Sequence, residues 1–354
     1  MSQRSKPHLP HQLVVDILKE PWMKSCKSFA FSEGAHRRRC DIVDGNKDDI
    51  SAETYVLGLD GGCFMLLDNF RQGKSGWFNL MSMPSSSSSK PHHLYMGYSI
   101  LNMAIDDGDP LFAFESIRLG ALVNATNGRG QTPLLQCLER MYDLVELEKI
   151  IAFSPPSLRA AAGLDNLTFL KARMNRIALL LVEQHADVNA TVKWQGKSVT
   201  PLYFATCVLR DFELARLLLT HGADPYPHSP AESIRTDMLH FQQLAEETRT
   251  RIKNNGGIIR PPRPCPCFSG KALSDCHDTG ERHPYPDEFL CKCGSEKAYS
   301  KCCKGRNMQT VERWNSKEQW CYWSSMLCLF PILIHSCSQD SACSSCYLSN
   351  HALS

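Results

Sequence analysis

Two stretches of this chain, "CPCFSGKALSDCH" at 265–277 and "CKCGSEKAYSKCC" at 291–303, share one thirteen-residue pattern written 26 residues apart. Each reads Cys-x-Cys, then eight residues, then Cys followed by His or Cys. Between the cysteines Ser269 aligns with Ser295, Lys271 with Lys297, Ala272 with Ala298 and Ser274 with Ser300. Nothing else in the sequence limits the fold so narrowly. Thiolates and imidazoles in sets of four suit the tetrahedral preference of zinc, and four protein ligands leave no open coordination position, the mark of a structural ion. Cys265, Cys267, Cys276 and His277 are therefore expected to hold one Zn2+, and Cys291, Cys293, Cys302 and Cys303 a second.

Three other uses of these cysteines compete with that reading. Disulfides are disfavoured because adjacent Cys302 and Cys303 facing a Cys-x-Cys make awkward bridge geometry. The opening "MSQRSKPHLPHQ" lacks the apolar core of a secretory signal, so the 17 cysteines are expected in a reducing compartment, cytoplasmic, with the nucleus as the alternative. Catalytic thiols would need a Cys/His/Asn or similar constellation beside the pattern, and none is legible. One ion shared between the two motifs is the third alternative, set against the completeness of each set. The longest apolar run, Met326 to Ile334, is nine residues long and contains Pro331. A bilayer crossing needs about 20 apolar residues, so no membrane partner is expected.

The two cysteine stretches resemble the SEC-C motif, a small zinc-binding element found at the tail of the bacterial preprotein translocase motor and in many unrelated chains. The second copy carries the motif's Cys-x-Cys-Gly-Ser, Lys, Tyr and Cys-Cys. The first keeps Ser269-Gly270-Lys271 and the Cys-His ending. Phe268 stands where the motif has Gly, Leu273 where it has an aromatic residue, and Glu296 where it has Gly, so the glycine-dependent turn is in question at Phe268 and Glu296. In the translocase the motif engages a chaperone and ribosomes, which implies a ribosome- or RNA-associated role as one alternative here. Lys297, Lys301, Lys304 and Arg306 would carry it. Against it, residues 260–306 hold nine basic and six acidic side chains, and seven thiolates around two divalent ions bring the sum to zero. A neutral module makes weak phosphate contacts.

Upstream, residues 92–228 carry a second periodicity. Thr132-Pro133 recurs as Thr200-Pro201 after 68 residues, twice 34, and "LGALVNA" (119–125), "QHADVNA" (184–190) and "THGADPY" (220–226) recur at Ala121, Ala186 and Ala223. Spacings near 33 mark a stacked repeat. In each unit Thr is expected to cap a helix whose first residue is Pro. Asp109 and Asp211 are placed to cap further helices, and Gly120 and Gly222 to end them in the left-handed conformation. These residues, with "GQTPLLQC" (130–137) and "LARLLLTHGADP" (214–225), resemble ankyrin repeats. The family usually has His after Thr-Pro-Leu, where this chain has Leu135 and Tyr203, and Gly where it has His185. The segment 127–190 is nearly two repeats long. "DLVELEKIIAFSPP" (143–156) has the shape of a second helix and its exit, which favours two repeats over one with an insertion.

The expected organisation is therefore a mainly α chain in five parts. Residues 1–91 form a poorly defined, partly disordered N-terminal region, and 92–228 an ankyrin-type helix-turn-helix stack of three to four degenerate repeats. Residues 229–259 form a capping helix with Ile234, Met238, Phe241 and Leu244 on one face, 260–306 a small zinc-stabilised module, and 307–354 a tail with no assigned fold. The expected function is a non-enzymatic adaptor that binds an unidentified protein partner on the concave face of the stack, through Asn127, Arg129, Trp194, Gln195 and Lys197. Trp194 is either an exposed anchor or packed beneath its loop. A SET-type protein methyltransferase is the enzymatic rival. Its post-catalytic motif spaces the cysteines by about four residues instead of eight, and its Asn-His-x-Cys core is missing: the one Asn-His pair is Asn350-His351. No catalytic residue and no small-molecule substrate is assigned.

Overall fold

The computed structural model describes residues 6–24, 26–43, 99–127, 129–153, 164–224, 260–293, 295–317 and 319–327, with isolated positions between 243 and 254. The four apolar residues expected on the 229–259 helix lie outside them, as do most of the rest of that segment and residues 44–98. The described part is mainly α-helical, with two small antiparallel sheets.

Its helices come in pairs. The first joins α3 (Ile100–Asp106) to α4 (Pro110–Arg118). The second joins α5 (Pro133–Ala152) to α6 (Leu164–Glu183). The third joins α7 (Pro201–Tyr203), which runs on as a π-helical segment Phe204–Leu209, to α8 (Phe212–Thr220). The expected caps are all present. Thr132, Thr200, Asp109 and Asp211 each accept a backbone N–H three residues on, from Leu135, Tyr203, Phe112 and Leu214. The helix ends repeat as well: Gly120, His185 and Gly222 follow α4, α6 and α8 with φ of 96°, 65° and 91°.

A side-chain ladder ties successive loops. Asn124 Oδ1 accepts the Asp187 N–H at 2.7 Å, and Asn189 Oδ1 accepts the Asp224 N–H at 2.7 Å. Each amide group also donates to the same next loop, to the carbonyls of His185 and Gly222. The segment between Thr132 and His185 departs from the expectation of two repeats. Residues 133–152 are one continuous helix, so the described residues of 127–190 show one pair with long arms. The apolar residues read as a second helix, among them Leu144 and Ile151, continue the buried face that Leu134, Leu138 and Met141 begin.

The second pair leads into a hairpin, β1 (Val192–Trp194) and β2 (Lys197–Val199), turned by Gln195 and Gly196, both left-handed. Two consecutive left-handed residues match the twist of paired strands.

Part of the N-terminal region corrects the view of 1–91 as poorly defined. Helix α1 (His11–Lys19), two single 3-10 turns and α2 (Glu33–Val43) precede the first pair. Leu9, Ile17, Met23, Phe29 and Ala30 enter the same core as α3 to α8. Polar ties reinforce this packing. Asp109, while capping α4, also accepts the Phe29 N–H at 2.7 Å. Glu115 accepts the His8 N–H at 2.8 Å and pairs with buried Arg39.

The cysteine-rich module sits against the other side of α4 and the end of α6. Gln184 donates to the Pro264 carbonyl at 3.0 Å, Arg260 to the Ala186 carbonyl at 2.6 Å, and His185 Nε2 lies 2.9 Å from the Pro261 carbonyl. Two strands that the sequence did not reveal, β4 (Met308–Asn315) and β5 (Trp320–Leu327), pair with each other, and β4 also pairs with β3 (His283–Pro284). Part of the 307–354 tail is thus folded into the module, with Trp320 packed on Gly120 so closely that a Cβ there would meet it at 3.1 Å.

Candidate metal centres

The two cysteine motifs fold alike and share a set of backbone hydrogen bonds. In the first, the Cys265 N–H donates to the Lys271 carbonyl and the Leu273 N–H to that of Arg263. In the second, Cys291 donates to Lys297 and Tyr299 to Phe289. Bridges pair Pro264 with Ala272 and Leu290 with Ala298. A 3-10 turn follows in each, Leu273–Asp275 and Tyr299–Lys301. It delivers the third ligand with nearly the same backbone angles, φ −130° and ψ −112° at Cys276, φ −134° and ψ −107° at Cys302. Positions that match between the copies make these bonds.

The turn at the glycine-depleted positions forms without glycine. Phe268 and Glu296 take φ of 57° and 55°. A left-handed conformation costs a side-chain-bearing residue roughly 1–2 kcal/mol, which the rest of each motif overrides. Phe268 gains a compensation, since its ring meets Phe114 of α4 edge-on at 4.9 Å.

All eight expected ligands fall into two separate quartets, Cys265, Cys267, Cys276 and His277 in one and Cys291, Cys293, Cys302 and Cys303 in the other. Within each, the candidate ligand atoms lie within 4.8 Å of one another. A zinc tetrahedron with Zn–S near 2.3 Å has sulfur–sulfur edges of about 3.8 Å. Cys267 and Cys276 are 3.7 Å apart at sulfur, Cys293 and Cys302 are 3.3 Å apart, and His277 Nδ1 lies 3.3 Å from Cys265 and from Cys276. A disulfide would require about 2.05 Å, and every cysteine of both quartets is a free thiol. The separation into quartets also disfavours a single ion shared between the motifs.

The donors are poised to exchange protons for a cation. Burial and the neighbouring Cys291 push the Cys303 thiol up to about 12, while the Ser295 hydroxyl brings Cys293 down to about 6. Burial works against a charged His277, but hydrogen bonds to Cys265, Cys267 and Glu312 outweigh it and raise its pKa to about 12. Four crowded donors that cannot all ionise together fit a divalent cation, whose binding releases those protons. The matched serines contribute here too: Ser269 lies 3.5 Å from Cys276 Sγ and Ser295 3.0 Å from Cys302 Sγ.

Two participants were not legible in the motif. Glu312, in β4, has Oε2 at 3.3 Å from His277 Nε2, and Arg118, from the last turn of α4, pairs with its other oxygen. Both are almost fully buried. The signal that could have found Glu312 is a carboxylate set among the strand-forming residues Thr310, Val311 and Trp314.

The residues expected on the partner face behave differently from one another. Arg129, Gln195 and Lys197 are exposed, and Trp194, Gln195 and Lys197 share the β1–β2 hairpin. Trp194 is half-buried, edge-on to Tyr142 at 5.2 Å and tilted against Phe204 at 5.2 Å, so it packs beneath the hairpin. Asn127 is a correction. It is buried where an exposed residue was expected: its Oδ1 accepts the N–H groups of Arg129 and Gln131, and its amide donates to Gln131, so it organises its own turn. Lys297 and Lys301 lie on the second motif and Lys304 and Arg306 on the 3-10 turn just after it, where Lys304 is exposed and bonded to both oxygens of Asp287. Among the described residues no helix is long and apolar enough to cross a membrane. No protein-family model matches the chain, and no curated protein matches it.

Proposed function

We propose that the chain is a non-enzymatic interaction protein, in which an ankyrin-type stack offers a protein-binding face and two SEC-C-like knots act as structural zinc sites. The observation that carries the reading is the closed, four-donor geometry of both cages, formed by matching backbone bonds around each. Such a cage leaves no ligand position for a substrate, so its contribution is to hold fold. Repeated caps, left-handed helix ends and the Asn124 and Asn189 ladder support the stack. Arg129, Gln195 and Lys197, exposed polar residues on turns, would contribute to that binding face. Binding residues commonly sit on loops held by a rigid scaffold.

The test uses the full chain. Elemental analysis should find two equivalents of zinc per chain, and the Arg129→Glu/Lys197→Glu variant should keep both equivalents and its melting temperature while losing the protein captured by the wild type. Zinc-free protein of unchanged stability would reject the structural role of the cages. Unchanged capture by the charge-reversed variant would reject this face as the binding surface.

A further inference from the structure

The two cages share a backbone but differ in what lies behind the fourth ligand, and that difference carries an inference resting on the zinc reading above. In the first cage His277 turns Nδ1 toward Cys265 and Cys276, at 3.3 Å from each sulfur, which leaves Nε2 facing away from the site. Nε2 meets Glu312 Oε2 at 3.3 Å, and Glu312 Oε1 meets the Arg118 guanidinium. His277, Glu312 and Arg118 are only 4%, 2% and 3% exposed. They come from three separate places: the turn His277–Thr279, the middle of β4 and the end of α4.

An unpaired carboxylate at that depth would be strongly disfavoured. Arg118 supplies its countercharge, and the Arg118 guanidinium in turn lies over the Phe289 ring at 5.6 Å, beside the second cage. A carboxylate on the outer nitrogen of a metal-bound imidazole fixes which nitrogen carries the proton, sets the ring's orientation and raises its basicity as a ligand. Cys303 stands at the matching position of the second cage, and a thiolate has no second nitrogen to orient.

We infer that Glu312 is a positioning residue for the His277 ligand, and that Arg118, by holding Glu312 in place, makes ion retention in the first cage depend on the docking of the module against α4. The cysteines and histidine bind the ion. Glu312 and Arg118 determine how well the histidine does so.

Zinc release to a chromophoric chelator is followed in the full-length protein. Cobalt(II) substitution tells the mixed thiolate–imidazole tetrahedron of the first cage from the all-thiolate one of the second by visible absorption. Wild type should release two equivalents in two phases. Glu312→Gln should speed the phase of the mixed cage by about 10- to 100-fold and leave the all-thiolate phase unchanged. In a His277→Cys background, where no imidazole remains to be oriented, the same substitution should leave release unchanged. Equal acceleration with and without His277 would mean that Glu312 serves packing alone, and the inference would be wrong. Because Glu312→Gln strips Arg118 of its countercharge, Arg118→Met/Glu312→Gln is measured beside it. Release should stay fast there, and restored slow release would also overturn the positioning role. Wild-type protein holding fewer than two equivalents, or giving no tetrahedral cobalt spectrum, would reject the zinc reading itself, and the inference with it. Two equivalents with an unaccelerated Glu312→Gln would reject only the inference.

Discussion

The first and second cages match in bonding pattern yet are embedded in opposite kinds of surroundings. The first is backed by a polar relay from His277 through Glu312 to Arg118, with Leu273 and Trp314 packed beside its cysteines. The second is wrapped by Tyr285, Phe289, Tyr299 and Trp323, and leaves Cys293 open to solvent. Their attachments differ as well. The first reaches α4 through Phe268 and Arg118. The second reaches the N-terminal segment, where His8 stacks on Phe289 at 4.4 Å and its Nε2 accepts the Leu290 N–H at 3.0 Å. Repetition in the sequence encodes the cage, and departures from the repetition encode what each cage holds on to. Phe268, in place of Gly, touches Phe114; His185, in place of Gly, touches Pro261.

The sharpest test of this contrast removes one ligand from each cage. Cys276→Ala and Cys302→Ala should each lower bound zinc from two equivalents to one, with a loss of several kcal/mol because metal binding and folding are one process at such sites. Hydrogen exchange should then rise in α4 and β4 for Cys276→Ala, and around Tyr285 to Tyr299 for Cys302→Ala. The same set of opened segments in both variants would erase the distinction.

Next in size is Phe268→Gly. It relieves a left-handed phenylalanine but exposes the Phe114 contact, and a buried phenylalanine contributes about 1.5–3 kcal/mol. The half-buried ring loses somewhat more than the backbone gains, so the net outcome is a destabilisation of about 1 kcal/mol or less, read as a lower denaturant midpoint; a gain would show that the ring does not hold the module.

A comparable effect is expected from pH at the second attachment. Burial, and then the charges of Arg39 and Arg118, hold the His8 pKa well below its ordinary value of 6.5. Neutral His8 is the form that accepts the Leu290 N–H. The unfolded chain takes up this proton first as pH falls, so the contribution is fully present above about 6.5 and declines below it by about 1.4 kcal/mol per pH unit until the folded value is reached. Wild type minus His8→Phe, compared between pH 6.5 and 5.5 by chemical denaturation, should fall by about 1 kcal/mol, since the unfolded chain's His8 is already half protonated at 6.5. Parallel curves would remove His8 from the account.

The smallest change is Glu296→Gly. The side chain is exposed and its φ is 55°, so relief of the left-handed backbone should stabilise the second cage by about 1 kcal/mol. The opposite signs at Phe268 and Glu296, two positions of the same kind of turn, would separate backbone conformation from docking.

Much of this was written locally enough to read. The cage ligands announce themselves by spacing, and Thr132, Thr200, Asp109 and Asp211 cap helices because their side-chain oxygens reach a backbone N–H three residues on. What escaped reading depended on distant partners. β4 does not alternate in burial, because Val311 is buried on one face and Thr310 and Glu312 on the other, and the charged Glu312 on a buried face hides the strand's period in the sequence. Residues 6–43 bury through short turns and ties to Asp109 and Glu115, which no local pattern records. Helix α5 runs through 143–152 because its second half packs on α6. Asn127 looked like a surface residue because the turn it closes is made by its own neighbours.

One bond described above joins positions 282 residues apart, His8 to Leu290. At a ribosomal pace of about 5–20 residues per second, the first partner waits roughly 15–60 s for the second to be made. During that interval the segment bearing Leu9 and Phe29 can already settle on α4, while the face of His8 that will receive Phe289 stays bare. This clasp therefore closes only after residue 290 has been made, and a chain stopped short of it would be distinguishable from a longer one by that bare ring.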